Sequence, residues 1–384
     1  MEKIVRKAFS IKDYIIKIRR ELHSHPELSF EEKRTHQFIE RELKSLGLEP
    51  RTLNKTGITA DIGKGDERVG LRADMDALPI KEENNLPYKS QNNGFMHACG
   101  HDTHMAMLLG AAKLLINYPL SRPVRLIFQP SEEKTPGGAK GMIREGALEG
   151  VSEIYGLHID PEMNLGSIKL KPGVMMAAGD EMDIIIKGVG GHASEPSKTI
   201  DPIYASSLFI NEIEGLIGRR SNSKHPIVIS ICSVHGGSTY NIIPSEVKLK
   251  GTVRTIEKES WRKVPDLIKN VLKALSISYG INFELSYKRG YPIVKNDLEK
   301  TEKFISIARN IFKRVNIMKN PLMGSEDFSY YLEEIPGTFA FIGGGNKEKG
   351  ITSTLHSPEF LIDEDSLPFG SALFYLLVSG KTNN

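Results

Sequence analysis

The chain has 384 residues, and its 51 Lys and Arg against 48 Asp and Glu leave a formal charge of only +3 at pH 7. That balance gives no reason to expect a nucleic acid or an anionic membrane as partner, and no run approaches the roughly 18 apolar residues that span a bilayer. Two cysteines in a chain long enough for two domains, or for one with an insertion, argue against a disulfide framework and suit a reducing cytoplasm.

The first residues, Met1-Glu-Lys-Ile-Val-Arg-Lys7, lack an apolar core of signal-peptide length, which also predicts a cytoplasmic location. Residues 10–48 read as two helices around Leu22-His-Ser-His-Pro-Glu-Leu28, the second from Ser29 to Leu46 with Gly47 as its stop. His23, His25 and His36 lie here without a carboxylate pattern beside them and read as structural. Val69-Gly-Leu-Arg-Ala73 is a short strand that ends at Asp74-Met-Asp76, and a polar loop then leads to His97-Ala-Cys-Gly-His-Asp-Thr-His104.

That stretch places His97, Cys99, His101, Asp102 and His104 within eight residues. The apolar run Met105–Ile116 behind it predicts a buried helix with Asp102 as N-cap. The positive end of such a helix favours a thiolate at Cys99 and an anion nearby. The spacing lacks the paired Cys-x-x-Cys of a structural zinc site, which leaves a mixed-ligand catalytic metal site.

Val124-Arg-Leu-Ile-Phe128 is the next strand, followed by Gln129-Pro-Ser-Glu-Glu133. Proline stops the ladder, so both glutamates lie past the strand's carboxyl end. Adjacent side chains in an extended segment point opposite ways, so one can bind metal while the other holds water. The alternative is a solvated acidic pair. Ile154-Tyr-Gly-Leu-His158 is a further strand ending in histidine. Strands alternating with helices, with acids and imidazoles at their carboxyl ends, predict an α/β domain with its site there.

From Gly179 the texture changes. Strand 181–187, helix 201–217, strand 227–234, strand 247–255, helix 257–278 and strand 282–288 follow the β-α-β-β-α-β order of a ferredoxin-like unit. Cys232 in the second of these strands reads as a small buried hydrophobe. After Gly290 the α/β texture resumes, with a helix through 299–314, a strand at 338–342 and a last helix beyond Pro358. The predicted organisation is a catalytic metal-binding domain of residues 1–178 and 291–384, with residues 179–290 inserted.

Eight short motifs now stand in order: Arg72-Ala-Asp-Met-Asp76, His97-Ala-Cys-Gly-His-Asp102, Gln129-Pro-Ser-Glu-Glu133, Gly156-Leu-His158, Gly191-His-Ala-Ser194, Asn241-Ile-Ile-Pro244, Gly251-Thr-Val-Arg254 and Leu355-His-Ser-Pro358. Together they resemble the metal-dependent aminoacylase/carboxypeptidase family of amidohydrolases. The branch they resemble holds hippurate hydrolases, auxin-conjugate hydrolases and archaeal carboxypeptidases, and the match runs from about residue 15 to 375. The resemblance implies a mixed-sheet, zinc-peptidase-like catalytic domain carrying a ferredoxin-like lid and dimerisation domain. It implies two divalent ions per subunit, zinc first, with cobalt or manganese as alternatives. Cys99, His101, Glu133, His158 and His356 would be their ligands, with Cys99 bridging.

By the same resemblance Glu132 is the general base and Asp76 orients the site. His192 stabilises an oxyanion, often across a dimer interface, while Asn241 and Arg254 hold the substrate's carboxylate. Without the resemblance His192 reads as a turn residue and Arg254 as a solvent-facing charge. The family's His-x-Asp reads Asp74-Met75-Asp76 here, which leaves the metal open between thiolate-preferring zinc and the others. The expected substrate is a small N-acyl amino acid or short peptide, and the expected assembly a homodimer or higher oligomer. Other readings are a catalytically silent metal sensor or scaffold, a non-hydrolytic metal enzyme such as a lyase, and a deacetylase of an amino-acid biosynthetic intermediate.

Overall fold

The computed structural model describes residues 2–220 and 226–379; residues 1, 221–225 and 380–384 of the expected domains lie outside the described residues. One compact unit comprises Met1–Met175, Val294–Asn320 and Asp327–Asn384, and a second comprises Met176–Ile293 and Pro321–Glu326. The short segment 321–326 joins the second unit through backbone pairing: Met176 bridges Leu322, and Ala177 N donates to Leu322 O at 2.9 Å.

The first unit opens with helices Glu2–Ser10, Lys12–Ser24 and Lys33–Ser45. The third starts later than the predicted Ser29, because Phe30 adopts φ 64° and no right-handed helix accommodates that. Its sheet has eight strands, in the order 51–53, 57–62, 124–129, 68–74, 151–164, 337–345, 167–170 and 314–317. The four central strands, 124–129 to 337–345, run parallel, and antiparallel strands flank them. Parallel strands covered on both faces need apolar side chains on both, and Val69 to Asp74 are buried without interruption.

The chain after Ala308 departs from expectation. The helix is Leu298–Ala308, and residues 314–317 pair as a strand with 167–170. An available strand edge outweighs weak helix propensity there. Helix His101–Asn117 is buried on nearly every side and packs against Lys12–Ser24 and Leu367–Ser379. A helix apolar all round belongs in a core.

The second unit holds a four-stranded antiparallel sheet in the order 227–235, 246–255, 178–187, 282–291. With helices Pro202–Arg220 and Lys258–Tyr279 this is the predicted ferredoxin-like order. Ile184, Ile186, Phe209, Leu249, Ile268 and Leu272 form its core; burying such side chains contributes about 1.5–3 kcal/mol each. Cys232 does not join them. It is exposed, at a bulge between Ile231 and Ser233 on an edge strand, where the extra residue breaks the alternation that predicted burial.

Candidate metal centre

The centre forms at the carboxyl ends of the parallel strands. Asp74 closes strand 68–74, the loop 130–133 follows strand 124–129, and His158 lies two residues beyond Gly156, the last residue paired to Arg72. The helix His101–Asn117 starts beside them, and its N-cap is Gly100, not Asp102. Gly100 has φ 84°, and an added Cβ would sit 2.3 Å from Ile159 Cγ2. Only glycine allows this turn between Cys99 and His101.

Asp102 is drawn elsewhere. Its Oδ2 accepts Arg19 Nε at 2.8 Å and His23 Nδ1 at 2.8 Å, and His23 Nε2 lies 3.2 Å from Glu82 Oε1. Burial and Arg19 oppose charge on His23, but bonds to Asp102 and Glu82 raise its pKa overall. Removing one member of a buried ion pair costs about 3–5 kcal/mol, which exceeds the roughly 1 kcal/mol of a cap. His23 is thus a structural brace. His25 and His36 bond to backbone carbonyls, of Glu21 and Thr56 respectively.

Two sets of donors meet at Cys99. The ligand atoms of Cys99, His101 and His158 lie within 4.8 Å of one another, and so do those of Cys99, Glu133 and His356. Each imidazole is aimed by its other nitrogen. His101 Nδ1–H donates to Asp76 O at 2.9 Å, and His158 Nδ1–H donates to Ile159 O at 2.7 Å, which turns His158 Nε2 to 3.3 Å from Cys99 Sγ. Such bonds fix tautomer and ring orientation in metal sites. His356 Nε2 is 3.4 Å from Glu133 Oε1.

The electrostatics ask for a cation. Burial opposes charge on His101, yet Asp74, Asp76 and Glu133 push its pKa up to about 10. Burial, then Glu133, Glu132 and Asp74, hold the Cys99 thiol well above its ordinary value. The helix end therefore does not by itself make a thiolate, contrary to expectation; a positive partner is needed. His101 Nε2, 3.9 Å from Glu133 Oε1, is buried without a hydrogen-bond partner among the described residues. Buried polar atoms are rarely left so, and a mixed S, N and O set suits zinc-like ions. The residues fit divalent cations.

The other members of the 97–104 cluster have different fates. His104 Nδ1–H donates to Asp74 Oδ1 at 2.5 Å, and its Nε2 accepts Ile159 N at 2.8 Å, so both nitrogens are engaged. Asp74 in turn accepts Arg72 Nη1 at 2.5 Å, and Arg72 reaches Gln129 and Asp327. His97 is buried, belongs to neither donor set, and has no hydrogen-bond partner among the described residues. Burial pushes its pKa down to about 4.

Glu132 and Glu133 are not separated by extended-chain alternation. Ser131 turns the chain with φ 54°, and Asp76 then anchors the next two residues: its Oδ1 accepts Glu132 N at 2.9 Å and its Oδ2 accepts Glu133 N at 3.0 Å. Ser29 Oγ donates to Oδ2 as well, at 2.6 Å. A buried acid outside every sequence motif, Glu32, reaches the same loop. Burial, then Asp76, pushes its pKa up to about 7. Nothing in Phe30-Glu-Glu32 distinguishes it from surface acids before a helix.

The second unit carries the remaining candidates. His192 lies on a two-residue strand paired with Ile242, and Ala193 N donates to Asn241 O at 3.0 Å, so His192 and Asn241 share one exposed ribbon. His192 Nδ1 accepts Ser194 N at 3.2 Å. Arg254 is half-buried, and Gly179 makes room for it: an added Cβ there would lie 3.0 Å from Arg254 Nη1. Burial lowers the Arg254 pKa. It donates to Thr252 Oγ1 and, at 3.1 Å, to Val253 O, and among the described residues no carboxylate pairs with it.

Residues 70–380 match the model of peptidase family M20/M25/M40. The chain is 39% identical over 394 residues to thermostable carboxypeptidase 1 of Saccharolobus solfataricus, covering 100% of this chain and 99% of that one. It is 40% identical over 370 residues to N-acetylcysteine deacetylase of Bacillus subtilis, covering 94% of each. Among solved structures, the Bacillus subtilis protein YXEP, a dinuclear metal binding peptidase from the M20 family, superposes with a TM-score of 0.82 at 37% identity, covering 96% of this chain and 97% of that one. The motifs, the fold and these likenesses agree, and the chain belongs to peptidase family M20/M25/M40.

Proposed function

We propose that the chain is a metal-dependent hydrolase that cleaves an amide bond beside a free α-carboxylate, releasing an amino acid from N-acyl amino acids or from peptide C-termini. The observation that carries this is the pair of donor sets sharing Cys99, with Glu132 in a further group with His101 and Glu133. A carboxypeptidase and an N-acetylcysteine deacetylase, the named activities of two relatives, both leave a free amino acid.

Cys99, His101, Glu133, His158 and His356 would hold two divalent ions, with zinc favoured by the thiolate and cobalt or manganese admitted by the carboxylate. When bound, such ions supply Lewis acidity, easing ionisation of water near neutral pH and polarising a carbonyl. Glu132 takes the proton of the attacking water and later passes it to the departing nitrogen. Asp76 keeps Glu132 and Glu133 in place through their backbone N–H groups. His192 donates to the oxyanion, and Asn241 with Arg254 receives the carboxylate. A half-buried guanidinium with no carboxylate partner among the described residues supports that last role, since its planar fork matches a carboxylate. A cytoplasmic homodimer is part of the same reading; no helix among the described residues is long and apolar enough to cross a membrane.

The test is a panel of acetyl-, benzoyl- and benzyloxycarbonyl-amino acids beside dipeptides, read as release of free amino acid. Chelation should abolish release, and zinc, cobalt or manganese should restore it. Full activity in a preparation shown by elemental analysis to be metal-free would sink the reading, and a metal-loaded protein inactive on the whole panel would favour the silent sensor.

A further inference from the structure

Three consecutive backbone N–H groups in the loop that carries Glu132 end on two buried carboxylates. Asp76 takes those of Glu132 and Glu133, and Ser131 N donates to Glu32 Oε1 at 2.9 Å. The same Oε1 accepts Phe30 N at 2.9 Å, while Thr56 Oγ1 donates to Glu32 Oε2 at 2.8 Å. Glu32 and Ser131 are both 0% exposed. Glu32 is absent from the donor groups that could hold a metal ion, so it does not act at the centre directly.

The two backbone groups that share Glu32 Oε1 are unusual in the same way. Phe30 has φ 64° and Ser131 has φ 54°. A left-handed conformation is unfavourable for a non-glycine residue and persists only where its surroundings hold it. At Ser131 the surroundings include that oxygen on its N–H, the bond from Gly138 N to Ser131 O at 2.8 Å, and its own hydroxyl on Lys134 O at 3.5 Å. The turn at Ser131 directs the chain away from the strand end at Gln129, so the next two side chains reach the donor cluster. An extended Ser131 would swing Glu132 away.

We propose that Glu32 is a positioning residue: by holding Ser131 in its left-handed turn it aims Glu132, acting with Asp76 as a two-acid clamp on residues 131–133. This rests on the reading of Glu132 as the base. The clamp works in either ionisation state of Glu32. Oε1 accepts in both, and Oε2 either accepts from Thr56 or, protonated, donates to it. Glutamine reproduces the protonated arrangement, whereas leucine of similar size leaves the Phe30 and Ser131 N–H groups without an acceptor.

The experiment compares Glu32→Gln, Glu32→Leu and Glu132→Gln as metal-loaded enzymes, with metal content, kcat and KM measured separately. Amide hydrogen exchange of the 131–133 segment in metal-stripped protein gives a readout independent of activity. We expect Glu32→Gln to stay within about threefold of wild type. Glu32→Leu should lose roughly 10–100-fold in kcat per loaded molecule at unchanged KM, as displacements near 1 Å do, with faster exchange at 131–133. Should the leucine variant not fold, Glu32→Ala, which removes the same acceptor without an apolar side chain, should still lower kcat several-fold and speed that exchange. Wild-type kcat per loaded molecule in Glu32→Leu, or in Glu32→Ala where that variant stands in, overturns the proposal, and so does unchanged exchange. A loss wholly accounted for by missing metal or unfolded protein makes Glu32 merely structural. Full turnover in Glu132→Gln removes the base assignment and the proposal with it, while the exchange data still report whether the clamp exists.

Discussion

Around Cys99, groups outside the donor sets steady the candidate residues: the Asp76 carbonyl holds His101, the Ile159 carbonyl holds His158, and the Asp76 carboxylate holds the Glu132–Glu133 backbone. In the second unit the side-chain hydrogen bonds given for His192 and Arg254 among the described residues go to near neighbours in the chain. His192 bonds to Ser194, Arg254 to Thr252 and Val253, and Asn241 is exposed just before the two-residue strand Ile242–Ile243. The first arrangement suits groups whose distances decide a reaction, since preorganised geometry is what bond-making steps require. The second suits groups that take hold of a partner arriving from solvent. Substitutions should therefore behave differently in the two regions, propagating through braces in one and staying local in the other.

The largest expected effect lies in the braced region. Glu132→Gln should keep its metal and substrate affinity yet lose about 10²–10⁴-fold in turnover, the usual worth of a general base. Glu133→Gln should lose metal on dialysis as well. Elemental analysis beside kcat separates them, and exchanged phenotypes would exchange the roles. Arg254→Ala should do less and do it selectively. A charge-assisted hydrogen bond contributes roughly 1.5–3 kcal/mol, so kcat/KM should fall about tenfold or more on an N-acyl amino acid and hardly at all on its amide. Wild-type enzyme that hydrolyses amide and acid equally well would return Arg254 to the surface charges. The smallest effect belongs to the exposed cysteine. Cys232→Ser should change stability by no more than about 0.5 kcal/mol and leave metal content intact, whereas Cys99→Ser should weaken metal binding, since a neutral hydroxyl replaces a thiolate. A Cys232 variant that loses metal would break the contrast between the regions.

What could be read beforehand obeyed the same division between local and distant. Three of the donors, Cys99, His101 and Glu133, sit in short runs, 97–104 and 129–133, whose residue types state their chemistry, and the β-α-β-β-α-β order is carried by periodicity within each element. The braces are long-range. Glu32 meets Ser131 across 99 positions and Arg19 meets Asp102 across 83, and no local pattern encodes either meeting. The misplaced cap at Asp102 has that origin: a modest local preference yielded to a buried ion pair from another helix. Cys232 failed for a different reason, since one inserted residue in an edge strand reverses every inside-outside inference beyond it.

His356 closes the centre from the far end of the chain, its backbone N donating to Ala98 O at 2.8 Å. Strand 337–345, just before it, is the parallel neighbour of strand 151–164, which carries His158. A chain growing from a ribosome presents Cys99 and His101 long before either arrives. Until then the strand bearing His158 has an unpaired edge, the kind that invites association with other chains. The set Cys99, His101 and His158 is thus complete early in synthesis, whereas the set Cys99, Glu133 and His356 waits for the last part of the chain, and a chain ending before Gly337 keeps the edge of the His158 strand open.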